Sequence, residues 1–252
     1  MSRTKSWETE RIGMSRFKSG MCTPLLLLGD VLHEDRRAFA ALVSKTGLAR
    51  YMSDLLASIE LDWVALSRRQ PQDVQNHLLY NSLMIALTRF ALTDSGWETL
   101  AQLALPEVLA QLVMFAQPPK QMFLQPASVK EKGSPAELFL SSFEVVIQLC
   151  SAICAKPKWK RLSFKILDVV YSQTELLSQL MRAEIKCRMM DAVVMLVQYI
   201  WDSDDATRPV IESNSMLTQL RSLPRVEQRC QNFVKKPFSF VNPTHLAPQF
   251  IR

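Results

Sequence analysis

Apolar residues recur at helical spacing along most of this chain, and no stretch reads convincingly as a strand. Leu48, Tyr51, Met52, Leu55, Leu56 and Ile59 fall at i, i+3, i+4, i+7, i+8 and i+11, which lines one face of a helix over three turns. Glycine is rare, at six in 252 residues, and this argues against both Gly-rich phosphate loops and a β-fold with many tight turns. The thirteen prolines then act as helix stops and tail breakers. Apolar residues make up 48% of the chain, ample for a buried core in one or two domains. The spacing predicts an all-α fold.

The punctuation predicts where helices begin and end. Asp35 is placed to cap a short helix that runs to about Ser44, buries Phe39, Leu42 and Val43, and is stopped by Gly47. Leu48 to Ile59 forms the next helix, and Ser67 to Pro71 is a polar break. A long helix from about Gln72 to Asp94 carries Val74, Leu78, Ile85, Thr88 and Leu92 near one line, with Leu79, Met84 and Leu87 widening it. Gly96 stands just past its end, where a left-handed cap residue belongs. Trp97 to Ala104 makes a short helix. Pro106 opens another, which carries Val108, Leu109, Leu112, Val113 and Phe115 to Pro118-Pro119.

After a loop over 117–133, Ser134-Pro135-Ala136-Glu137 is a strong helix start. Serine stands at the N-cap, proline at N1, and glutamate at N3 can reach back to the cap amide. That helix ends before Pro157, and a shorter one covers Trp159 to Val170. Thr174 is placed to cap one long helix through Leu177, Leu180, Met181, Ile185, Met189, Val193, Leu196 and Ile200. Ser203-Asp204-Asp205 breaks it, and a last helix spans Pro209 to Arg221. The short loops predict antiparallel helical hairpins. The wide apolar stripes favour stacked pairs of the armadillo or HEAT kind over a coiled coil, an α-solenoid segment. The expected organisation is a poorly ordered lead-in over 1–34, a helical body over 35–222 and a Pro-containing basic tail over 223–252.

The formal net charge of +6 sits at the ends of the chain. Residues 1–18 carry +3 and residues 221–252 carry +5, so the body is at −2 and lacks the basic bias that direct nucleic-acid binding needs. Five cysteines (Cys22, Cys150, Cys154, Cys187 and Cys230), an odd number without a CxxC, predict a reducing compartment. Cys150 and Cys154, one turn apart on an apolar stripe, read as small core residues. Met21 to Leu28 is apolar but deep in the chain and without a cleavage pattern, so no secretory signal is expected. No run of ~18 uninterrupted apolar residues predicts a transmembrane helix.

Reactive chemistry is not legible. No GxGxxG, Walker loop, HExxH, GxSxG or kinase-like set occurs, and His33, His77 and His245 lack ligand spacing. No catalytic residue, cofactor or metal is expected. His77 reads as a polar residue at a helix interface, and an enzyme would need a deep cleft around a group such as His77 or Glu184. Composition and spacing stop at a scaffold or binding protein.

One stretch is more specific: Tyr80, Ser82, Met84, Leu87, Arg89, Ala91, Thr93 and Gly96, then Leu100 and Pro106 to Leu109. It resembles the C-terminal part of the largest inner-ring scaffold nucleoporins. In that family a Tyr, a Ser and a Met at intervals of two precede Leu, Arg and Ala on one helix, followed by Thr, Gly and a Leu in the next. The flanks are similar in order: Phe39 to Leu48, Leu61-Asp62-Trp63 and Phe139 to Met181. The resemblance covers about residues 35–185 and implies a structural, non-enzymatic part of the nuclear pore complex. It further implies a place at the nuclear envelope and a role in nucleocytoplasmic transport. It implies other nucleoporins as partners, in particular an amphipathic helix of an inner-ring linker nucleoporin held in an apolar groove. Members of that family are several times longer, so the chain reads as a fragment or a divergent short form. The reading that needs no family is a cytosolic armadillo or HEAT-like adaptor for partner helices.

Overall fold

A computed structural model describes residues 41, 43, 45–120, 122, 128–129, 131–156, 158–182 and 187–223. These residues are mostly helical, with no strand among them. The expected lead-in, the Asp35 cap, the tail beyond Leu223 and Glu184 lie outside them. The helices are α1 (Leu48–Ala57), α2 (Trp63–Ser67), α3 (Pro71–Ala91), α4 (Asp94–Gln102), α5 (Leu105–Ala110) and α6 (Pro135–Cys154). They continue as α7 (Ser163–Tyr171), α8 (Thr174–Arg182), α9 (Arg188–Ser203), α10 (Arg208–Ser213) and α11 (Ser215–Ser222). Single 3-10 turns at Val113–Phe115, Trp159–Leu162 and Asp205–Thr207 link some of them.

Several start and stop signals act as expected. Gly47 takes φ 72 ahead of α1, the left-handed geometry a glycine accepts without a Cβ clash. The Ser134 hydroxyl accepts the Glu137 amide at 3.1 Å and caps α6. Glu137 reaches back one residue further than expected, to the amide of Gly133 at 3.1 Å. The expected break at Ser203-Asp204-Asp205 is there, and the Asp204 carboxylate accepts the Ala206 amide at the start of the next turn.

Other expectations need correction. In α1, Met52 and Leu56 are buried, whereas Tyr51 is exposed and Leu55 only partly covered. The buried side is rotated toward Ala49 and Ser53, because α1 meets both α3 and α5. The polar break expected over Ser67 to Pro71 does separate two helices, but the one before it, α2, was not expected; there the Asp62 carboxylate accepts the amides of Val64 and Ala65. The helix after Pro106 ends at Ala110: Leu112 is extended, and a separate 3-10 turn follows. The long helix expected from Thr174 to Ile200 is two, since Cys187 is extended (φ −142, ψ 157) at the start of α9. Thr174 is the first residue of α8 instead of the one that precedes it, and its hydroxyl donates to the Tyr171 carbonyl at 2.6 Å. The last expected helix is likewise divided, at Asn214.

The core centres on α3 and α6. Residues 82 to 88 of α3 are buried without interruption, so this stretch is covered on every side, and the Ser82 and Thr88 hydroxyls donate to carbonyls of their own helix. Of the residues expected along its stripe, Ile85 and Thr88 are buried but Val74, Leu78 and Leu92 only half-buried; Leu79, Met84 and Leu87, expected beside it, are fully covered, as are Leu83 and Phe90. Helix α6 packs against α2, α3 and α9. By length and composition α6 could cross a bilayer, yet most of its residues are buried inside the protein. The break at Leu112 turns Phe115 into this core. Its ring lies 5.2 Å from Phe143, 5.4 Å from Phe139, 5.8 Å from Trp63 and 6.2 Å from Tyr80. Three of these are edge-on pairs, the arrangement the ring quadrupole favours. The Trp63 indole N–H donates to the Met114 carbonyl at 2.9 Å and fixes the turn in place.

Candidate functional site

From Tyr80 to Leu100 the residues of the specific stretch lie on α3, on α4 and at Thr93 between them, and Pro106 to Leu109 lie on α5. Of the former all but Arg89 are buried, Arg89 being half-buried in the last turn of α3; of the latter Pro106 and Leu109 are buried and Glu107 and Val108 half-buried. Met84, Leu87, Ala91 and Leu100 are core side chains. The polar members bond to backbone. Tyr80 Oη donates to the Ser142 carbonyl on α6 at 2.6 Å, and Ser82 Oγ donates to the Leu78 carbonyl at 2.8 Å. Burial raises the Tyr80 phenol far above its ordinary range, so it stays a neutral donor.

The corner itself is built differently from the expectation. Gly96 is not a left-handed residue past the end of α3; it lies inside the first turn of α4, and its φ is not positive. Thr93 is the N-cap of α4. Its Oγ1 accepts the Gly96 amide at 3.0 Å and donates to the Phe90 carbonyl at 2.8 Å. One hydroxyl therefore ties the end of α3 to the start of α4. Glycine is needed for space: a Cβ at position 96 would stand 2.0 Å from the Phe90 carbonyl oxygen and 2.4 Å from Thr93 Oγ1.

His77 forms a second polar group across the α3–α6 contact, and spacing gave no hint of its partners. Its Nε2 lies 3.2 Å from Ser142 Oγ and 3.3 Å from Asn81 Nδ2. The imidazole stacks near the Tyr80 ring, with centroids 6.4 Å apart. The Asn81 amide donates to Nε2, so the neutral ring carries its proton on Nδ1. Burial without an opposite charge lowers the His77 pKa to about 4. A serine hydroxyl against a histidine nitrogen is a nucleophile–base geometry, but Ser142 is only 2% exposed and no carboxylate bonds the ring among the described residues. As it stands, the group joins α3 to α6.

The thiols of Cys150 and Cys154 lie in the core, where burial pushes Cys150 up to about 12 and Cys154 well above its ordinary value. The half-buried Cys187 is pushed up to about 11, chiefly by burial. Among the described residues no three His, Cys, Asp or Glu side chains gather to hold a metal.

Comparison of the chain with family models, curated proteins and solved structures found no match.

Proposed function

We propose that this chain is a structural scaffold element of the nuclear pore inner ring, and that it works through shape and protein contacts without catalysis. The observation behind the reading is the stretch from Tyr80 to Leu100, with its resemblance to the large inner-ring scaffold nucleoporins. Its residues sit in the buried second half of α3 and in the corner that follows. The hydroxyls of Tyr80, Ser82 and Thr93 close hydrogen bonds to backbone. Such a block serves to hold helices in fixed relation, which is the task of a scaffold. In this reading the helical pairs stack as a segment of an α-solenoid and offer an apolar groove to an amphipathic helix of a linker nucleoporin.

The test is localisation joined to capture. A fluorescently tagged chain is expected at the nuclear rim, and pull-down from nuclear envelopes is expected to recover inner-ring nucleoporins. A tag spread evenly through the cytosol, with no nucleoporin recovered, would overturn the proposal and favour a cytosolic helical adaptor.

A further inference from the structure

We draw no further inference here: the strongest candidate, the surface patch on the outward side of α7 that carries the exposed Phe164, Asp168 and Tyr171, is an unpartnered aromatic face, and nothing in the structure shows what covers it.

Discussion

Replacing Gly96 with alanine separates two accounts of the α3–α4 corner that differ in the sign of the effect. In an ordinary helix interior the change from glycine to alanine stabilises by up to about 1 kcal/mol. At Gly96 the new methyl would lie 2.0 Å from the Phe90 carbonyl oxygen, 2.4 Å from Thr93 Oγ1 and 2.8 Å from the Phe90 carbonyl carbon. Relief requires the last turn of α3 to move away from α4. That movement opens the Thr93 bridge between the Phe90 carbonyl and the Gly96 amide. Overpacking costs about 1–3 kcal/mol and loss of the cap about 0.5–2 kcal/mol. After the propensity gain, the net expectation is a loss of about 2–3 kcal/mol, or a fall in Tm of very roughly 5–10 °C for a body of this size. Thermal unfolding followed by circular dichroism measures it. Gly47 is the control: its φ is +72 and nothing lies within 4 Å of an added Cβ, so asparagine, which accepts that geometry, is tolerated there but not at position 96. A Gly96→Ala variant as stable as the parent, or more stable, would refute the close-approach argument.

Two further outcomes follow from burial. The His77 pKa falls from 6.5 to about 4 on folding, so between those values the unfolded chain binds a proton that the folded chain does not. Its contribution is complete above pH 6.5 and lost as the pH drops, amounting to about 3 kcal/mol by pH 4. Urea midpoints at pH 7, 5.5 and 4.5 should fall more steeply in the parent than in His77→Gln, and equal slopes would contradict the burial argument. Leu56→Ala should cost about 2–5 kcal/mol, and Leu55→Ala less than half of that, because only Leu56 is fully covered. Equal losses in chemical denaturation would mean that the buried side of α1 is misassigned.

Local signals that act within a few residues were legible. Ser134 with Glu137, the glycine at 47 and the aspartate at 204 work through hydrogen bonds or φ values that neighbours in sequence supply. Residues that depend on distant partners were not. Leu112 unwinds where Phe115 must enter a cluster supplied by α2, α3 and α6, and no local pattern foretells that. The glycine rule failed in both directions. Gly96 has no left-handed geometry, whereas Arg69 (φ 58) and Ala104 (φ 54) do. What the residues from Tyr80 to Leu100 touch is not legible in the sequence. The Tyr80 and His77 contacts with Ser142 bridge more than sixty positions.

The order of apolar and polar residues, with proline and capping side chains between, was enough to make this chain helical and to place most helix starts, because those choices are settled by hydrogen bonds within one turn. Which side of each helix is covered, where Leu112 and Cys187 interrupt a helix, and why position 96 must lack a side chain were decided only when helices met. Those features are set by excluded volume and by the burial of groups that come from elsewhere in the chain.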